Sequence, residues 1–265
     1  MEIELQATSS WKNLQNLYNK LKDLKEKEQK ISKEIQKTTQ EIEKIKQSQK
    51  TSEQQATVIR QKTKTKWFEQ YCWFFTSNNL LVVSGKNAKQ NDELVSKHLK
   101  ENDLFFHADI YGASTTILKN SNNANEQDIK EAAQWAACFS SAWKRKMSNI
   151  DVFYVNKNQV SKHMDGAYVG RGAFVINGKR NWLKNIRLGL RILYFEQENY
   201  LKLVPLDYPI NSSNKKIKIN LEIYPGDSDK EIFVKEIEKK FKDLKIKIDS
   251  QELLKRLPSG GFFSK

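Results

Sequence analysis

The chain is poor in residues that staple, break or anchor a protein. Only two cysteines, Cys72 and Cys138, occur among its 265 residues. Two lone thiols make no disulfide framework, and each reads as a small buried hydrophobe in an apolar helical stretch. No apolar run approaches the roughly 20 residues that a membrane span needs, so no membrane partner is expected. Met1 is followed by Glu2 and Glu4 with no apolar signal core, which makes the cytoplasm the expected compartment. The three histidines, His98, His107 and His163, lie far apart, and no cysteine stands near them at ligand spacing, so no metal site is expected. Ser84-Gly85-Lys86 lacks the preceding glycine and the spacing of a phosphate loop. There is no Gly-x-Ser-x-Gly elbow and no dinucleotide fingerprint. The sequence therefore offers no cofactor and no catalytic set, and the chain is not expected to be an enzyme.

Positive charge is what the chain has in plenty. Its net charge is +14. A polyanion is the natural partner for such a surface. The excess is spread, about +6 over residues 1–66, +4 over 67–200 and +4 over 201–265. That distribution fits a long, shallow contact better than one deep pocket.

The first 66 residues carry a heptad. One seam runs through Leu14, Leu21, Glu28, Ile35 and Ile42, the other through Leu17, Leu24, Ile31, Thr38 and Ile45. Eight of these ten positions are apolar among Lys, Glu and Gln, which is the signature of a coiled coil. A lone helix cannot bury such a stripe and needs a partner. The spacing predicts a hairpin that turns near Gln47–Ser52. Its second leg would be Thr51–Phe75, with Val58, Ile59, Trp67, Phe68, Tyr71 and Phe75 facing inward. No glycine or proline marks that turn, so a single long helix is the alternative.

From Asn79 onward short strands alternate with helices. Leu80–Val83, Leu104–Phe106, Thr115–Leu118 and Val152–Val155 read as strands, with Gly112 in a turn. Asp92–Leu99 has helical spacing. Glu126–Met147 reads as one helix, rich in alanine, able to lie close on a sheet. Ala173–Ile176, Asn177-Gly178 and the residues from Lys179 onward have the form of a type I′ hairpin. Strands near Leu190–Phe195, Leu201–Val204 and Ile217–Ile223 precede a helix over Asp229–Phe241. The fold class is α+β, a largely antiparallel sheet with packed helices, preceded by an N-terminal helical coiled-coil arm.

The segment Lys157–Arg191 is the most basic. Lys157, Lys162, Arg171, Lys179, Arg180, Lys184, Arg187 and Arg191 stand there against one acid, Asp165. Tyr168, Phe174 and Trp182 interleave. Cations neutralise phosphates, and exposed rings stack on unpaired bases. Gly166, Gly170, Gly172 and Gly178 would let the backbone approach a phosphate. Phe174 is expected in the core. His107 and Asp109, two apart at a strand end, share one face beside Tyr111 and Ser114. They are either an RNA-contacting pair or a histidine held by a structural hydrogen bond to the aspartate. The candidate RNA-binding residues are Lys162, Arg171, Lys179, Arg180, Lys184, Arg187, His107 and Tyr168.

Several motifs recur together: Trp67-Phe68-Glu69, Trp73-Phe74-Phe75, Gln90-Asn91, His107-Ala108-Asp109, Tyr111-Gly112-Ala113-Ser114, Ser140-Ser141-Ala142-Trp143, Gln159-Val160-Ser161-Lys162, Gly172–Ile176 and Gly178-Lys179-Arg180-Asn181. In this order they resemble the RNA-binding (NFACT-R) domain of the ribosome quality-control NFACT proteins. Glu2-Ile3-Glu4-Leu5 with Ser10-Trp11-Lys12-Asn13 resembles the entry to the family's middle coiled coil. The resemblance implies an arm over 1–66, the RNA-binding domain over 67–200 and a C-terminal α/β extension over 201–265. It implies a factor that binds the large ribosomal subunit holding a stalled peptidyl-tRNA. The partners would be its rRNA, tRNA, a ubiquitin ligase and a separate protein supplying the family's NFACT-N domain, which this sequence lacks. The competing expectation is a coiled-coil adaptor that binds protein and makes no direct RNA contact.

Overall fold

A computed structural model describes residues 10–55, 66–164, 167–196, 200–210 and 217–264. The chain divides into two units, Met1–Thr65 and Lys66–Lys265. The described residues of the first unit form one helix, α1 (Ser10–Gln55), of 46 residues. At 1.5 Å per residue it is about 70 Å long. It runs unbroken through Gln47–Ser52, where the heptad reading placed a hairpin turn. The reason is local. Lys, Gln and Glu are good helix formers, and nothing in that stretch ends a helix. The hydroxyls of Thr38 and Thr39 turn back to the carbonyls of Glu34 and Ile35, at 2.8 and 2.7 Å, which keeps them compatible with the helix. The seam side chains Leu14, Leu17, Leu21, Leu24, Ile31, Ile35 and Ile42 are exposed. The side chain of Ile45, and Val58 and Ile59, lie outside the described residues.

In the second unit a 3-10 turn, Trp67–Gln70, leads into β1 (Cys72–Phe75) and β2 (Leu81–Ser84). Then come α2 (Ala88–Glu93), a π-helical turn (Leu94–His98), β3 (Leu104–Ala108) and β4 (Thr116–Leu118). A pair of helices, α3 (Glu126–Cys138) and α4 (Ser141–Lys144), precedes β5 (Asn149–Asn156). Four two-residue strands follow: β6 (Val160–Ser161), β7 (His163–Met164), β8 (Ala167–Tyr168) and β9 (Val175–Ile176). The chain closes with β10 (Asn181–Arg187), β11 (Leu190–Phe195), β12 (Tyr200–Pro205), β13 (Ile217–Ser228), α5 (Lys230–Asp243), α6 (Ser250–Arg256) and β14 (Phe262–Ser264). The main sheet has the order β1-β2-β4-β3-β5-β10, and a second has β12-β11-β13-β14. Both are antiparallel throughout, so the fold is α+β.

Alternation along β3 sends its side chains to two different cores. Leu104, Phe106 and Ala108 face α3, where Ala132, Ala133, Trp135 and Ala136 are fully buried, in a core that also takes in β11, β13 and α5. Phe105 joins Phe68, Tyr71, Leu94, Ile117 and Phe153 in a second cluster on the opposite face. Polar ties fix α3 to the β1–β2 turn: the Glu131 carboxylate accepts from the Ser77 N–H at 3.0 Å and hydroxyl at 2.6 Å, and Asp128 accepts from Asn78 at 2.9 Å.

Four local expectations change. Trp67, Phe68, Tyr71 and Phe75 are not the second leg of a hairpin; they belong to the second unit, as the 3-10 turn and β1. Cys72 accordingly lies on a strand, and both thiols are buried, with that of Cys72 pushed up to about 11 and that of Cys138 raised further by desolvation. The expected helix Glu126–Met147 breaks at Phe139-Ser140, because the Ser140 hydroxyl accepts from the Ala142 N–H at 3.1 Å and caps α4. The Asn177-Gly178 hairpin does not form. Only Gly178, at φ +76°, has the positive φ that both positions of a type I′ turn require. So β9 pairs with β6, while β10 crosses to β5. The residue-200 division expected from sequence passes through the second sheet, where β11 is paired to β12 and β13.

Trp135 is fully buried in the α3 core, 4.6 Å from the Phe74 ring and 4.4 Å from that of Phe139. Trp135→Ala is expected to lower unfolding free energy by about 3–5 kcal/mol in chemical denaturation, since so large a void cannot close.

Candidate nucleic-acid interface

The face of the main sheet opposite α3 continues over β3, β5 and β10 as a row of rings and cations. His107 pairs across from Phe153, and Phe153 from Trp182. The Phe153 and Trp182 rings meet edge-on at 5.3 Å. The Arg180 guanidinium lies 4.8 Å over Phe153, and the Lys184 ammonium 4.3 Å over Trp182. Cross-strand register thus builds this arrangement from residues far apart in sequence.

Two loops rise around His107 and form a cleft of about 720 Å³. One is Asp109–Ser114. It turns at Gly112, φ +82°, and is held by the start of α4: the Ser141 hydroxyl donates to the Tyr111 carbonyl at 2.6 Å, and the Ser141 N–H to that of Gly112 at 3.2 Å. The break in the expected helix therefore supplies an anchor for this loop. The other loop carries Arg171, Gly172, Ala173 and Phe174. It is clamped to α2 through Asp92, which accepts from the Gly172 N–H at 3.0 Å and pairs with the Lys162 ammonium at 2.5 Å. Gly172 has φ +77°, and a Cβ there would stand 2.7 Å from that of Ala88, so only glycine fits. Gln159 pins the following turn, donating to the carbonyls of Asn177 and Lys179, each at 2.9 Å.

Lys86, Arg171 and Arg180 bring positive charge to the cleft, and Asp109 is the acid in its lining. Burial holds the His107 imidazole below the ordinary histidine value. The Arg180 charge pushes the same way, against a backbone hydrogen bond to Ala108 and the charge of Asp109. The imidazole is neutral at neutral pH. Asp109 acts on it through its charge.

The structure sorts the expected RNA-binding residues. Arg171, Arg180 and His107 share the cleft. Lys162 does not present its charge: it is paired with Asp92, donates to the Ala173 carbonyl at 2.8 Å and lies 4.2 Å over the Phe174 ring. It holds the loop. Lys179 is exposed beside the Gly178 turn and outside the cleft lining. Lys184 pairs with Asp151 at 2.8 Å, and the Arg187 guanidinium rests 5.2 Å over Tyr224. Tyr168 is exposed and meets His163 edge-on at 5.5 Å. Phe174, expected in the core, is half-buried and lines the cleft. Gly166 lies outside the described residues. Sequence reasoning set Lys86 aside with the failed phosphate loop and gave Asp92 no role; its place directly after Gln90-Asn91 was the available signal. Among the described residues no group of three or more His, Cys, Asp or Glu is placed to hold a metal ion. No described helix is long and apolar enough to cross a membrane.

The model of the NFACT protein RNA-binding domain matches residues 70–178. The chain carries the RNA-binding domain of the NFACT family. The matched stretch carries every residue of the cleft lining except Arg180, two positions beyond it. The archaeal Rqc2 homolog aRqcH of Methanocaldococcus jannaschii is 34% identical over 215 residues, spanning 80% of this chain and 31% of that protein. The ribosome quality control complex subunit NEMF homolog of Drosophila melanogaster is 32% identical over 164 residues, 59% of this chain and 16% of that one. The chain thus spans less than a third of the length of either relative. The solved C-terminal part of the fibronectin/fibrinogen-binding protein from Streptococcus suis is 24% identical with a TM-score of 0.39, covering 44% of this chain and 45% of that one.

Gly172→Ala tests the clamp. The substitution is expected to cost about 1–3 kcal/mol through backbone strain and the clash with Ala88, and to speed amide hydrogen exchange across residues 169–176. Asp92→Asn should speed the same amides more mildly. Unchanged exchange in both would mean the loop is held by other contacts.

Proposed function

We propose that this chain is an RNA-binding factor of ribosome quality control that grips its ligand without transforming it. The observation that carries this reading is the convergence of Arg171, Arg180 and Lys86 with the neutral His107 on one ring-floored cleft. Cations over rings in a broad groove suit phosphates and bases together. The matched RNA-binding domain and relatives named as ribosome quality control complex subunits support the same direction. The partner is the large ribosomal subunit holding a stalled peptidyl-tRNA, met through its rRNA, the tRNA or both. Action is cytoplasmic, beside a ubiquitin ligase.

The test is co-sedimentation with purified large subunits carrying peptidyl-tRNA, across a salt series. Arg171→Glu with Arg180→Glu is expected to weaken binding at least several-fold. Loss of the Arg171 phosphate contact and of the Arg180 charge should also lower the slope of log affinity against log salt by about one to two. An unchanged slope and unchanged binding in the folded double variant would overturn the assignment.

A further inference from the structure

The geometry points to a specific occupant for the His107 cleft: one unpaired nucleotide of single-stranded RNA, its base inside and its phosphate on Arg171 and Lys86. This rests on the RNA-binding reading above and goes further, because it names what the cleft selects. The volume of about 720 Å³ suits a group the size of a small molecule and is too small to take in a duplex. Phe174 offers a half-buried apolar wall, and the Arg180 guanidinium over Phe153 offers a flat charged surface on which a base can stack. Tyr111, at the rim, is 93% exposed, and its loop is fixed by Ser141, so an otherwise idle ring is held ready. His107, kept neutral, can bond a base edge without drawing a second phosphate inward. Asp109 accepts hydrogen bonds and repels phosphate, so a base amino group or a ribose hydroxyl suits it. Arg171 and Lys86 remain for the backbone.

The experiment measures affinity of the full chain for a single-stranded oligonucleotide and for a blunt RNA duplex with the same number of phosphates. The strand is expected to bind more tightly. Tyr111→Ala leaves the fold intact, because the ring touches solvent on nearly all sides. It is expected to weaken strand binding roughly ten-fold, the worth of one base stack, with duplex binding unmoved. His107→Gln, which keeps hydrogen bonding, should retain more strand affinity than His107→Ala. A 2-aminopurine in the strand should change its fluorescence on binding, and lose that change with Tyr111→Ala. Equal affinity for strand and duplex, with Tyr111→Ala silent on both, overturns the nucleotide pocket while leaving RNA binding intact. Failure of both RNAs to bind removes both readings. A free nucleoside 5′-monophosphate carries the same base and phosphate; if it binds more tightly than the strand, the site belongs to a soluble nucleotide and the proposal fails.

An independent observation concerns α1. We infer that its exposed seam is covered by α1 of a second copy, running antiparallel. Laid head to tail in one register, Leu17 meets Ile42 of the second copy, Leu24 meets Ile35, and the seam acid Glu28 meets Ile31. The flanks then place Lys20 beside Glu41 and Lys27 beside Glu34, each twice by symmetry; all four are exposed on the helix. A parallel pair would instead set Glu28 against Glu28 and Lys20 beside Lys25. Flanking charges decide orientation in coiled coils, and here they favour one. Light scattering of the full chain should show a concentration-dependent dimer. Glu34→Lys turns two pairs repulsive and should weaken it roughly ten-fold. Adding Lys27→Glu recreates the pairs with signs exchanged and should restore it. A monomer at every concentration, a dimer indifferent to Glu34→Lys, or no rescue by the double variant overturns the pairing.

Discussion

The salt bridge between Lys162 and Asp92 is the contact on which the second unit's recognition face depends. Asp92 sits on α2 and Lys162 follows β6, so the pair closes a loop of about seventy residues. Asp92 also receives the Gly172 N–H, which turns a two-point contact into a three-point clamp. With the ammonium side chain only 17% exposed, this pair is shielded from the screening that makes surface ion pairs weak. Opening the clamp would release Arg171, Ala173 and Phe174 together, because they ride the same short stretch of backbone. One wall of the cleft is thus an electrostatic product, whereas its floor is a product of sheet register.

That division explains what the sequence could tell. The floor was legible in part: β3 and β5 follow from apolar runs, and strand alternation puts Phe105 and His107 on one face. The seam of α1 was legible from its heptad, and the family from motifs in their order. The clamp was not legible, since a lysine in a basic segment looks like a ligand contact until its acid is found seventy residues upstream. The same limit governs Asn177-Gly178. Local preference favoured a hairpin, but β9 and β10 each found longer-range partners, and pairing across the sheet outweighed the turn. The long helix of alanines failed for the opposite reason. A single serine hydroxyl, placed to cap, ended α3 two turns early.

Two roles met in Ser140-Ser141. Ser140 ends one helix and starts the next, and Ser141 carries the Asp109–Ser114 loop. The second cluster, Phe68 through Phe153, then supports that loop's far side only indirectly, through β3. Such sharing makes the cleft rigid on the scaffold side and leaves its rim residues, Tyr111 and Arg171, free of packing duty.

Cys72 and Cys138 carry the two thiols of the chain. Both are sealed in the interior, and desolvation keeps them protonated. Thiolate is the form that oxidants and alkylating reagents attack, so the native molecule is chemically silent towards them. A sulfhydryl reagent added to a solution of the chain would count only those molecules that have opened.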